Sequence, residues 1–425
     1  MTSIQDRLTD AMSAAAGTVR EAELRPLAVR QRRWHQAAWA APAATAAAVV
    51  LVIGLAVSVS NGLFGTHQPA GPGHLPAAPH RFYLATDIGS WQTTVRSTAT
   101  GKAVAVVPVP SLQAAGSISP TLATAGNGTF YIAAFRRGAA GEQIYRFRLT
   151  PAGQVTGFAR IPGGVLRPGW AADALAASPD GSLLAVGAYY QRDHRYRGQL
   201  YGPQRSDQLI VIHTATGAQT LWRGGSPGGA RYFRVASLSW TGDSRQLAVL
   251  GEWCPTAPNP GGELCPAGQR QAQLRAIEPA GHTGGSILRG RLLLRQSPRI
   301  PFLAQALISP DGSTITAMVL HGRAIGNPQI SGTFPADLSV EQISVTTGRQ
   351  LSVLYRRHLG DTSEVSGPMA DPLAMSADAT GRDLILNGGI CNLHCTNEFN
   401  GWLHAGRLVP LPPSGFAHRE TAEAW

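Results

Sequence analysis

Lysine is almost absent from this 425-residue chain: of its 36 Lys and Arg side chains, Lys102 is the only lysine. That shortage excludes a P-loop, which needs Lys followed by Ser or Thr, because Lys102 is followed by Ala103. It also weakens any reading of the formal net charge of +11 as a surface for polyanions, since a skew toward arginine is what a GC-rich genome writes. Charged residues are scarce at 14%, and beyond residue 36 long stretches of helical periodicity are few. No H-E-x-x-H occurs, so the helix-borne zinc site of a metalloprotease is excluded. Gly224-Gly225-Ser226-Pro227-Gly228 fits G-x-S-x-G by its letters. Gly229 and a predicted strand follow, however, where a nucleophile elbow needs a helix. Acids such as Asp173 and Glu252 are scattered without pairing, so no general acid and base can be assigned. The expectation is a protein that is not an enzyme and carries no cofactor or metal.

What the chain has instead is turns, with Gly 49 and Pro 30, and one recurring unit. Ala174 to Tyr190 reads as strand, turn and strand. Ser178-Pro179-Asp180-Gly181 puts Pro where φ near −65° is wanted and Gly where φ must be positive, between alternating apolar residues. Variants return at Ala306 to His321, Ser237 to Trp253, Leu373 to Gly389 and, more loosely, Leu122 to Phe135. A second hairpin follows each: Gln143 to Ile161, Gln208 to Arg223, Gln273 to Arg289, Val340 to Arg356 and Trp402 to Leu411, with turns such as Thr214-Ala215-Thr216-Gly217. Two hairpins make a four-stranded sheet, and a repeat of such sheets is the signature of β-propeller blades.

Five complete blades can be counted. Phe82 to Ala85, Thr93 to Ser97 and Ala103 to Val109 supply three strands of a sixth, and residues 416–425 supply its missing innermost strand. Closing the ring this way removes exposed sheet edges. The expected fold is all-β, a six-bladed propeller of four-stranded antiparallel blades preceded by one transmembrane helix; seven and five blades are the alternatives.

The N-terminal region is organised differently. Residues 1–36 contain a capping-box pattern at Ser3 to Asp6 and a short amphipathic stretch, then five arginines between Arg20 and Arg33. Ala37 to Val59 is uncharged, long enough at about 34 Å of helix to cross a bilayer core. By the positive-inside rule residues 1–36 form a cytoplasmic tail, residues 37–60 hold the lipid bilayer, and residues 81–425 are extracytoplasmic. A cleaved signal peptide is the rival reading. Residues 61–80 are a Gly, Pro and Ala-rich linker whose His67, His74 and His80 match no standard metal spacing.

The SPDG hairpins followed by Thr-Gly turns resemble the WD40-like repeats of TolB-type and related bacterial β-propellers over residues 82–425. With its anchor, the chain is similar to membrane-anchored propeller proteins of high-GC Gram-positive bacteria. The resemblance implies a binding or scaffolding platform and carries over no catalytic residues.

If both turn types lie on one face, the connections from second to third strand lie on the other: Gln191 to Asp207, Cys254 to Gln271, Gly322 to Leu338 and Gly388 to Asn400. Binding is expected there. In the first of these, Tyr190, Arg192, Arg195, Tyr196, Arg197, Tyr201 and Arg205 interleave aromatic rings with guanidinium groups. That chemistry suits sugar faces and anionic groups of a cell-surface polymer, or a protein; the compartment disfavours nucleic acid. Such a loop can equally pack along its own blade. The four cysteines fall in two connections. Local pairing as disulfides, Cys254 with Cys265 and Cys391 with Cys395, suits the compartment; zinc is the rival, with His394 between the second pair. Besides a binding module, an extracytoplasmic sensor signalling through residues 1–36 and a hydrolase or lyase with a central-channel site are the alternatives. The last would show as acids or histidines from several blades converging.

Overall fold

The computed structural model describes residues 81–87, 92–109, 121–135, 141–190, 192–196, 199–204, 207–224, 232–254, 271–279, 284–297, 300, 302–324, 333–358, 369–370, 374–378, 381–391, 395–411 and 420–424. The tail, span and linker expected over residues 1–80 lie outside the described residues. Among the described residues no helix is long and apolar enough to cross a membrane.

The SPDG turns form for reasons the side chains make explicit. Gly181 takes φ 72°, and its N–H donates to Ser178 O at 2.8 Å. Asp180 Oδ1 accepts from the Ser178 hydroxyl at 2.6 Å and from the Ser182 N–H at 3.0 Å. Ser178 Oγ in turn accepts from the Leu183 N–H at 2.9 Å, so the turn is tied from both sides. Ser309, Asp311 and Ser313 repeat the arrangement. In blade 4 the sequence is Thr241-Gly242-Asp243-Ser244, and Ser244 occupies the left-handed position at φ 59°.

Six sheets follow. Blade 1 joins Phe82–Asp87, Gln92–Ser97 and Ala103–Val106 to Glu420–Ala424, the innermost strand. Blade 2 is Thr121–Thr124, Thr129–Phe135, Glu142–Leu149 and Val155–Val165. Blade 3 is Trp170–Ala177, Leu183–Tyr190, Asp207–His213 and Gln219–Arg223. Blade 4 is Tyr232–Trp240, Leu247–Cys254, Gln271–Ile277 and Arg291–Arg295. Blade 5 is Phe302–Ile308, Thr314–Ala324, Thr333–Ser344 and Gln350–His358. Blade 6 is Ala374–Ala377, Leu384–Cys391, Cys395–His404 and Arg407–Pro410, with Met369–Ala370 paired to the end of the second strand on the same edge as the inner strand. The innermost strands touch one another in a closed cycle from blade 1 through blade 6 and back. The fold is therefore a six-bladed propeller, closed by the C-terminal strand: Ala85 lies opposite Ala422, and Asp87 opposite Glu420.

Two local expectations need correction. The outermost strand of blade 4 is Arg291–Arg295, not a strand ending at Arg289. The chain before it makes a single 3-10 turn, Ile287–Arg289, after Gly285–Ser286 has paired in parallel with the outer edge of blade 3. Covering that edge outweighs a regular hairpin there. The long connections also prove to be partly blade. Thr314–Ala324 and Thr333–Ser344 stay paired as far as Ala324 opposite Thr333, and Arg192–Tyr196 with Gln199–Gln204 forms a separate two-stranded ribbon.

Each blade is apolar on both faces, which explains the near-continuous hydrophobic strands. On Leu183–Tyr190, Leu184, Val186 and Ala188 pack toward blade 2, while Ala185 packs toward blade 4. Gly187 is needed where blade 4 approaches: a Cβ there would sit 2.8 Å from that of Val235. Polar ties cross between inner strands as well. Ser237 Oγ donates to Ala306 O at 2.9 Å and accepts from Ala306 N at 3.2 Å, and Trp240 Nε1 donates to Ala176 O at 3.0 Å.

Two outcomes follow. Truncation after residue 419 leaves Phe82–Asp87 as an open edge. We expect loss of the cooperative thermal transition and aggregation by size-exclusion chromatography; an unchanged melting profile would refute closure by this strand. Ser237→Ala leaves a buried N–H and C=O of Ala306 without that partner, and chemical denaturation should show a loss of about 1–3 kcal/mol.

Candidate functional site

The turns of both hairpins share one face. Thr214 Oγ1 donates to Gly181 O at 2.7 Å, joining the Thr-Gly turn of blade 3 to its SPDG turn. Neighbouring blades are linked there too, by Asn127 Nδ2 to Asp180 O at 3.3 Å and Gly242 N to Pro310 O at 2.7 Å. This face is tied down by its own hydrogen bonds. The opposite face carries the ends of the second strands, the starts of the third and the starts of the innermost strands, so the second-to-third connections all emerge on it.

The Arg and Tyr segment connects the second and third strands of blade 3 at that face and pairs with itself as a ribbon. Its backbone register sets Arg192 opposite Gln204, His194 opposite Tyr201, Arg195 opposite Leu200 and Tyr196 opposite Gln199. Tyr190 ends the second strand of blade 3, opposite Trp170. Arg197 and Arg205 lie outside the described residues, as do the side chains of the other five. The same holds for the cysteines. Cys391 and Cys395 face each other in the backbone register of a hairpin and Cys254 ends a strand, but Cys265 and all four thiols lie outside the described residues.

Polar groups from three blades meet around the inner strands of blades 3 and 4 near this face. The strand Trp170–Ala177 is bulged between Ala172 and Ala174, and Asp173 is the extra residue. Asp173 Oδ2 accepts from Arg234 Nε at 2.8 Å, joining the inner strands of blades 3 and 4 with side-chain exposures of 18% and 34%. Glu252, buried, lies directly opposite Arg234 within blade 4. From blade 2, Thr121 Oγ1 donates to Ala172 O at 3.1 Å, and the buried Glu142 carboxylate oxygen accepts from the Ala172 N–H. Both groups thus hold the bulge that presents Asp173.

Glu142 is only 1% exposed, and its pKa is pushed up from 4.5 to about 8. Burial is the main cause, the Asp173 charge adds to it, and the Ala172 hydrogen bond opposes both. At neutral pH Glu142 therefore keeps its proton behind the Asp173–Arg234 pair. A partly exposed Asp–Arg pair of this kind can anchor a polar or zwitterionic group.

Asp173, which the sequence leaves without an acid or base partner, is paired with Arg234. Glu142 and Arg234 were not distinguishable in the sequence, where nothing marks the bulge that brings the three together. Residues 225–231, which include most of the G-x-S-x-G match, lie outside the described residues.

No protein family and no curated protein matches the chain. Among solved structures, Kuenenia stuttgartiensis hydrazine synthase is 14% identical with a TM-score of 0.38, over 75% of this chain and 80% of that one. A Lactobacillus plantarum protein is 14% identical with a TM-score of 0.36, over 75% and 81%. The periplasmic gluconolactonase PpgL of Pseudomonas aeruginosa is 14% identical with a TM-score of 0.35, over 78% and 99%. Similarities this distant carry no functional argument. The propeller assignment rests on this chain's own sheet order and closed cycle of inner strands.

The Glu142 environment makes a pH prediction. A folded-state pKa near 8 against 4.5 unfolded means that the folded state keeps a proton the unfolded state has lost. Stability then falls as pH rises between those values, with a limiting slope of about 1.4 kcal/mol per pH unit. Glu142→Gln keeps the acceptor for Ala172 and cannot ionise. Urea denaturation should show a flatter stability profile from pH 5 to 8 for this variant; parallel profiles would place the proton elsewhere.

Proposed function

We propose that this propeller is a ligand-binding module working through the face that bears the second-to-third-strand connections. The observation that supports it most directly is a shared location: the Arg and Tyr ribbon, the other connections and the partly exposed Asp173–Arg234 pair open at the same end of the blades. A rigid ring holds such groups in place at little entropic cost. The ligand class that fits arginine and tyrosine together is an anionic or hydroxyl-rich polymer of the cell surface. Display outside the cell on a span at residues 37–60, local disulfides in two connections, and membership among WD40-like or TolB-type propellers complete the proposal.

The test is binding of the full-length protein to isolated cell envelope, beside a variant with Arg192, Arg195, Arg197 and Arg205 changed to Ala. The expected result is wild-type binding that weakens with salt, and a loss of roughly tenfold or more in the variant, about 1.4 kcal/mol. Equal binding by both proteins would remove the ribbon from the site. Arg234→Gln, assayed alongside, reports separately on the channel wall.

A second reading, a hydrolase or lyase, is favoured by the convergence of Glu142, Asp173 and Arg234 from three blades. Glu142 is too buried to meet a substrate, so Asp173 is the group that would act. Any activity found in a substrate screen should fall at least ~100-fold in Asp173→Asn if Asp173 is the general base.

A further inference from the structure

The outer half of blade 5 holds a group of side chains that the binding face does not use. His321 lies directly opposite Asp337, and Asp337 lies directly opposite His358, on three neighbouring strands. Directly opposed residues project from the same side of a sheet, with Cβ atoms about 4.5–5.5 Å apart. Two imidazoles therefore flank one carboxylate in a row. His358 Nδ1 is 2.9 Å from Asp337 Oδ1. The side chains are 34%, 45% and 59% exposed for His321, Asp337 and His358, so solvent reaches all three.

His321 is held from beneath. Ser339 Oγ donates its one proton to Glu341 Oε1 at 2.7 Å, and it lies 2.9 Å from His321 Nε2. With its proton committed, the serine oxygen can only accept, so His321 Nε2 is the protonated nitrogen and the neutral ring carries its lone pair on Nδ1. Ser339 and Glu341 are both buried. A ring nitrogen fixed by a buried hydroxyl and carboxylate, leaving the other nitrogen basic, is the outer-shell arrangement that orients a metal-binding histidine. His321 Nε2 also lies 3.4 Å from the buried Glu341 Oε1, so His321 has a structural partner, whereas the exposed Asp337–His358 pair contributes only about 0–1 kcal/mol to stability.

We propose that His321, Asp337 and His358 bind a divalent first-row transition ion, zinc being the one that two imidazoles and a carboxylate best suit. As placed here the three are not closed on a common point: no group of His, Cys, Asp or Glu among the described residues is positioned to hold a metal. Closure requires rotation of Asp337 and His358, the two more exposed members, while His321 stays fixed. Three protein ligands leave a further position for water or a ligand atom. The site lies where blade 5 meets the connection-bearing face, and it stands whether or not the ribbon binds a surface polymer.

The test uses the full chain purified without a histidine tag, titrated with Co2+ and followed by its visible d–d absorption, then displaced with Zn2+. His358→Ala removes an exposed ligand and should leave the far-UV circular dichroism unchanged. The expected result is d–d bands without a thiolate charge-transfer band, Zn2+ displacement, and apparent affinity roughly tenfold or more weaker in His358→Ala. Ser339→Ala, with Nε2 released, should weaken binding by about tenfold while all three ligands remain. Absence of bands, a thiolate charge-transfer band, or equal titrations for wild type and His358→Ala would overturn the proposal.

Discussion

A blade with two apolar faces cannot be stable alone, and most of this structure follows from that requirement. The buried side chains divide into six clusters, and each joins one blade to the next. Leu247 and Val249 belong to the interface with blade 3, Ala248 and Leu250 to the interface with blade 5. Stacking buries both faces only if the stack has no ends, so the ring must close. The closing strand, Glu420–Ala424, is accordingly the farthest in sequence from the strand it pairs with. Among the described residues, the interface between blades 6 and 1 has Tyr83, Ala85, Ile385, Trp402, Val409 and Leu411 as its buried apolar members.

Ring closure divides the molecule into two unlike faces. One is consumed by turns that hydrogen-bond to each other from blade to blade, and it has little freedom left for recognition. The other receives the connections that blade geometry does not dictate. Bulges in the inner strands add to it. The extra residue at Asp173 breaks the ladder, frees the N–H of Ala172 and turns an acid toward Arg234 of the next blade. Equivalent bulges fall at Val235 to Ser237 and Leu303 to Gln305, where the extra residues are Ala236 and Ala304.

The SPDG and Thr-Gly turns, the apolar strands between them and the three incomplete strands after residue 81 were legible in the sequence because they depend on local rules. Proline sets φ, glycine accepts positive φ, and a continuous apolar strand signals a sheet covered on both sides. The candidate site was mostly not legible. Asp173, Arg234 and Glu142 come from three blades: Arg234 lies 61 residues from Asp173, and Glu142 lies 30 residues from Ala172, whose N–H it accepts. His321, Asp337 and His358 occupy one blade, but only the strand register aligns them, and a shift of one residue would scatter them across both faces.

The amino-acid sequence by itself determined the blade repeat, the turn chemistry and the origin of the closing strand, because each is set by residues within a hairpin or by the need to pair an edge. The closed cycle of inner strands settled six blades over five or seven. Only the tertiary structure decided that Glu142 keeps its proton and which side chains meet. Charge state depends on burial and on neighbours across a blade interface, as Glu142 shows by holding its proton to about pH 8 behind Asp173. Those neighbours exist only after the ring has closed.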